Sequence, residues 1–226
     1  MGWNRPEALA RGRIGAGRVV SWIVRAVILP ATPLLVPGLA PGLRPDPLMA
    51  VRGAVRAALA ELVAGGRLPL VLAHGLALRH GRMRPSLAGS GIGDRWLPDL
   101  PAGSGRRAAA ATPWADGAPA GTGASVALLA LADVLGDRAA DVETLEVPPD
   151  GSPFDDGAAD LLRGATGLVV AGGGVPGRLD NGPAALTDGI QAALRAAGAD
   201  AWLAEVQVFE QSHDHLPSQY RVTTLA

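Results

Sequence analysis

Cysteine and lysine are both missing from this chain of 226 residues; all 20 of its basic residues are arginine. Without Cys there can be no disulfide framework, no thiolate zinc site and no thiol nucleophile. Without Lys there is no Schiff-base lysine, no P-loop lysine and no lysine general base. Aromatic residues are scarce as well, with five Trp, two Phe and one Tyr. The core must therefore be built from Leu, Val, Ile and Ala, and there is little to stack bases on. The formal net charge is −1 and the pI is near 6.4. Neither leaves an electrostatic footprint for a phosphate backbone or an anionic membrane surface, so nucleic acid and membrane are not expected partners. No run reaches the ~18–20 apolar residues of a membrane span.

What is abundant is Ala, Gly, Pro and Arg. Hydrophobic residues make up 48% of the chain and charged ones 18%, which is enough apolar material for one sizeable core. Residues Met1 to Arg18 are rich in Arg and lack an apolar period, and read as a disordered leader or a misassigned start. Arg25 interrupts the apolar stretch from Val19 to Leu29, which argues against a secretory signal and for a cytoplasmic protein. The domain is expected to span 19–226.

Within it, Arg25–Leu29 reads as a buried strand that opens at Pro30 into a Pro-rich loop. Asp46 reads as an N-cap with Pro47 at the first helical position. Leu48, Val51, Val55, Leu59 and Leu62 follow at helical spacing, and Gly65-Gly66 closes the segment. Leu68–Ala73, ending at His74, reads as a second strand, and strand–helix–strand implies a right-handed crossover and parallel pairing. Leu76–Gly121 gives no clear pattern. Val126–Leu135 is apolar almost all round and predicts a helix buried on most sides. Further elements are a strand at Val142–Val147, a helix at Asp155–Leu162, a strand at Gly167–Ala171, a helix from Ala184 to Ala197 and a strand at Trp202–Phe209. The fold class that follows is a single α/β domain with a mostly parallel central sheet flanked by helices.

Three segments could carry chemistry. Gly172-Gly173-Gly174-Val175-Pro176-Gly177 fits a dinucleotide-binding pattern formally. Pro176, Gly182 and Pro183 delay the next helix, however, and no acidic residue follows at the ribose-binding distance, so an ordinary β-to-α loop is the simpler reading. Gly121-Thr122-Gly123-Ala124-Ser125 could offer backbone N–H groups and hydroxyls to an anion, or could simply cap a helix. The four histidines come in two groups. His74 ends a predicted parallel strand, where open α/β sheets place ligands, and His80 follows six positions on. Glu210, His213, Asp214 and His215 cluster after the last predicted strand. Two imidazoles and a carboxylate form the ligand set of non-haem Fe(II) sites, so His74, Glu210, His213 and His215 are candidate ligands for Fe(II) or another divalent metal. The competing reading of the C-terminal group is a polar, solvated tail.

The stretch Ala26-Val27-Ile28-Leu29-Pro30-Ala31-Thr32-Pro33-Leu34-Leu35-Val36-Pro37-Gly38-Leu39-Ala40, with the helix from Asp46 to Leu62, resembles the start of the class III extradiol ring-cleavage dioxygenase-like family. The likeness is to its short, Ala-rich members. It covers about residues 24–75 and extends loosely to Val126–Leu135 and Leu168–Gly174. Members begin with a strand, a Cys-Pro-His-Pro-Pro type turn, Leu-Leu-Val-Pro and a long helix. The resemblance implies an iron site made by the His of that turn, a His ending the next strand and a Glu nearer the C-terminus. Here Ala31 and Thr32 occupy the first position, His74 stands at the second, and Glu210 is a candidate for the third. The expectation is a divergent member without the family's iron site, holding a small molecule in the cleft around Pro30–Thr32, His74 and Gly172–Gly174. The alternatives are a metal-dependent dioxygenase or hydrolase with a rebuilt His/carboxylate site, and a non-catalytic protein-interaction module.

Overall fold

β1 (Ala26–Pro30) begins where the β-branched run Val27-Ile28 predicts it. The computed structural model describes residues 24–39, 46–97, 114, 117–173 and 186–226. The segment read as a leader, 1–18, and the end of the glycine run from Gly174 onward lie outside these residues.

After a short 3-10 turn at Pro33–Leu35 comes α1 (Met49–Leu62). Its start differs from the sequence expectation. Asp46 does not cap the helix directly; its carboxylate accepts from the Leu48 N–H at 3.0 Å and pairs with Arg52, so Asp46–Leu48 form a turn that leads into the helix. The predicted apolar stripe is the buried one: Val51, Val55, Ala58, Leu59 and Leu62. β2 (Leu70–His74) is buried throughout. The segment without a clear pattern contains β3 (Arg79–Arg84) and the two-residue β4 (Ala118–Pro119). α2 (Thr122–Leu135) is buried on most sides, as its composition predicts. β5 (Glu143–Val147), α3 (Asp156–Gly164), β6 (Leu168–Gly172), α4 (Asp188–Ala196) and β7 (Ala204–Glu210) follow. Asp155 caps α3 through the Ala158 N–H at 2.7 Å, and Thr187 caps α4, a few residues later than the sequence expectation. The chain ends in a strand that was not expected from its residues, β8 (Gln219–Leu225).

The result is a single α/β domain around one eight-stranded sheet of order β4-β3-β5-β2-β6-β1-β8-β7. The central pairs β2–β5, β2–β6 and β1–β6 are parallel; β3–β5, β1–β8 and β7–β8 are antiparallel. β1 and β2 are parallel but not neighbours, because β6 lies between them. Strand side chains alternate faces. Val27, Leu29, Val71, Ala73, Val169 and Ala171 pack under α1 and α2, while Ala26, Leu70, Leu72, Leu145, Leu168 and Val170 pack under α3 and α4. Among the described residues no helix is long and apolar enough to cross a membrane.

This order sets up the site. β1 leads to α1 on one face of the sheet, β5 and β6 lead to α3 and α4 on the other, and β2 turns into β3, which pairs with β5, before the chain reaches α2. At the junction of β6 and β1, neighbouring parallel strands therefore send the chain to opposite faces, and beyond the carboxyl ends of such strands α/β proteins place their ligands.

Candidate functional site at the carboxyl edge of the sheet

Three sequence candidates meet at this edge. Pro30 is in register with Gly172, and the Ala31 N–H donates to the Gly172 carbonyl at 2.7 Å. On the other side of β6, Leu70 pairs with Leu168 and Leu72 with Val170, which brings His74 level with Gly172. His74 shares the face of Leu70 and Leu72, on the side of α3 and α4, opposite Val147 of β5. It is 9% exposed, and among the described residues its buried Nδ1 has no hydrogen-bond partner. Burial lowers its proton affinity below the ordinary value of 6.5, and attraction to Glu146 partly offsets this. His74 is therefore a neutral imidazole at neutral pH, with a ring nitrogen uncommitted to the fold.

Glu146 is the residue that sequence reading missed. It is 1% exposed, and both of its oxygens are engaged. Oε1 accepts from the Gly121 N–H at 2.6 Å; Oε2 accepts from Arg79 Nε at 3.0 Å and from a second nitrogen of the same guanidinium. Register explains the meeting, since Arg79 lies opposite Glu146 on the neighbouring strand. Two glycines make room for it. A Cβ on Gly75 would sit 2.9 Å from the Glu146 Cβ, and one on Gly121 would sit 3.1 Å from its Oε1. The only trace of this in the sequence is a Glu set between Leu145 and Val147 in a strand that leads into Pro148-Pro149.

Glu146 also settles the role of Gly121–Ser125. The first N–H groups of a helix have no partner within it and attract negative charge, and at α2 the chain's own carboxylate takes that place. The hydroxyls are engaged too. Ser125 Oγ accepts from the Ser86 N–H at 2.8 Å and donates to the Ala120 carbonyl at 3.3 Å, and Thr122 Oγ1 bonds Ser90 Oγ at 3.0 Å. The segment is a cap and a tether to the loop after β3. At the next position, a Cβ on Gly123 would lie 3.3 Å from that of Ala171 and 3.5 Å from that of Ala31. The amino end of α2 thus rests on the ends of β1 and β6 through small residues.

The remaining candidates lie elsewhere. Glu210 ends β7, separated from β2 by β6, β1 and β8; four strand spacings of ~4.8 Å put it roughly 19 Å from His74. His213 and His215 sit on the exposed β7–β8 loop with ring centroids 5.9 Å apart in a T-shaped contact, and Asp214 between them is exposed. His80 lies on β3 with Nε2 3.9 Å from Asp155 Oδ1. The structure therefore does not gather His74, Glu210, His213 and His215 into one site. Among the described residues no group of three or more His, Asp or Glu could hold a metal ion. The donor set at the crevice does not fit the family's iron either. Among the described residues His74 supplies one imidazole, and Glu146, whose charge it feels, has both oxygens committed.

Compared with family models, curated proteins and solved structures, the chain matches none.

Proposed function

We propose that this chain is a cytoplasmic, metal-free, extradiol-dioxygenase-like protein that binds a small organic molecule in the crevice where β1, β6 and β2 end. Nucleic acid is not among its ligands. The observation that carries this reading is His74: a buried, neutral imidazole with an unpaired Nδ1, at the carboxyl end of a central parallel strand and level with Gly172. An unpartnered buried polar atom costs about 1–3 kcal/mol, and a ligand hydroxyl donating to Nδ1, or a ligand carboxylate accepting from it in the other tautomer, would recover that cost. The Glu146–Arg79 pair, on the other face of the sheet, fixes the ends of β5, β3 and α2 and stays out of the chemistry. Benzoate and catechol serve as probes, because the resemblance to ring-cleaving enzymes implies an aromatic ligand bearing oxygen.

Thermal unfolding of chelator-treated protein tests this. A probe at ten times its Kd stabilises by ~1.4 kcal/mol, which raises the melting temperature of a domain this size by about 3–6 °C. The rise should vanish in His74→Ala. Equal rises in both proteins, or none with either probe, would reject the crevice as the binding site for this ligand class. Stoichiometric metal in the untreated protein, lost in His74→Ala, would instead favour the rebuilt metalloenzyme.

A further inference from the structure

The sheet has one open edge that is long and apolar. β7 ends the strand order, and among the described residues nothing pairs with its outer side. Six of its seven residues are exposed. Of the six large hydrophobic side chains that are strongly exposed among the described residues, Leu203, Val206 and Val208 lie on or beside this strand. Open edges of this kind template pairing with another strand unless charge, proline or a bulge blunts them. Here the centre of the strand is Val206-Gln207-Val208, with no charge, proline or glycine.

The hydrogen-bond phase of the hairpin shows which groups are available. Leu203 and Ala226 exchange both of their backbone hydrogen bonds, at 2.9 and 3.0 Å, and the Gln211 N–H donates to the Ser218 carbonyl at 3.0 Å. Odd-numbered residues of β7 therefore bond inward to β8. Ala204, Val206, Val208 and Glu210 present N–H and C=O outward. These four also share one face of the sheet.

We propose that β7 pairs antiparallel with β7 of a second copy of this chain, about a two-fold axis through Gln207, joining two sheets into one. The strand is self-complementary in this register. Val206 faces Val208 of the partner strand, so both valine pairs lie on the same face and their outward N–H and C=O groups bond reciprocally. Glu205 meets Phe209 and Glu210 meets Ala204, so no two carboxylates stand opposite each other. Sliding by two residues toward the carboxyl end sets Val206 against Glu210 and shortens the overlap; sliding the other way leaves Glu210 unpaired. The central register alone uses all seven residues.

Sedimentation of the full chain at about 100 µM, where small interfaces associate, should show a dimer. Val206→Lys and Val208→Glu each alter both symmetric valine pairs and should weaken association about tenfold. The double variant Val206→Lys/Val208→Glu sets the introduced lysine of each strand opposite the introduced glutamate of the other, twice over, and should restore affinity to within about threefold. Other registers oppose lysine to lysine or glutamate to glutamate and would weaken it further. These side chains are solvent-exposed, so the melting temperature of dilute monomer should not change. A monomeric wild type, a dimer indifferent to the single substitutions, or a double variant weaker than either single would each overturn the proposal.

Discussion

Removing the Glu146 carboxylate tests the geometry at the carboxyl end of β5 in a way that distinguishes its two partners. In Glu146→Ala the Gly121 N–H loses its acceptor, at a cost of about 1–3 kcal/mol. Arg79 loses its partner as well, but its side chain is 44% exposed and can turn into water. The loss should therefore stay below the 3–5 kcal/mol of a fully buried broken pair, at about 2–3 kcal/mol in all. Arg79→Ala is the harsher change, because it leaves the Glu146 carboxyl group at 1% exposure with only the Gly121 N–H, and it should reach about 3–5 kcal/mol. Glu146→Gln keeps the shape and one acceptor and should cost about 1–2 kcal/mol. The double variant Arg79→Met/Glu146→Leu should cost less than Arg79→Ala alone, since no charge remains to be desolvated. Urea unfolding with a common slope m measures all four. A Glu146→Ala protein destabilised by less than about 0.5 kcal/mol, or by more than Arg79→Ala, would refute the assignment of Glu146 as a buried cap.

Other perturbations have definite signs. His74 binds a proton less readily folded than unfolded, so below its ordinary value of 6.5 the unfolded chain carries more protons. Its contribution should reduce stability as pH falls from about 6.5 toward its lowered folded value, and His74→Gln should flatten that part of a stability–pH curve. Gly189→Ala would put a Cβ 1.9 Å from the Pro148 carbonyl oxygen; with backbone as the obstacle, the loss should be about 3 kcal/mol or more by thermal melting. Gly53→Ala, in α1 with nothing within 4 Å of the new Cβ, should instead stabilise by about 0.5–1 kcal/mol. Leu128→Ala, at 0% exposure between α2 and the sheet, should cost about 2–5 kcal/mol.

Local periodicity carried most of the fold. The stripe from Val51 to Leu62, the apolar α2, and the short β-branched strands at Ile28, Val71 and Val169 each had a pattern that only one kind of element satisfies. Non-local pairing was not legible. Strand–helix–strand predicts that β1 and β2 run parallel, but nothing in either strand says that β6 enters between them. β8 was overlooked because the polar residues before it, Gln211 to Ser218, read as a solvated tail, although Tyr220-Arg221-Val222-Thr223-Thr224 has β-branched alternation. At the site, His74 was legible from its place at a strand end. Glu146 was not, because its burial depends on Arg79 arriving across the sheet, on Gly121 arriving at a helix start, and on Gly75 leaving space. Proximity in sequence groups Glu210, His213 and His215, whereas the distance of that group from His74 is set by topology, which puts β7 four strands away.

The measurement that bears most directly on the crevice is the nitrogen NMR spectrum of the His74 ring at neutral pH, recorded on chelator-treated protein during titration with catechol or benzoate. The expected result is a neutral ring whose Nδ1 resonance moves with added probe, while those of His80, His213 and His215 stay in place. A His74 ring that is protonated at neutral pH, or that ignores both probes while a divalent metal shifts it at one equivalent, would contradict a metal-free binding crevice.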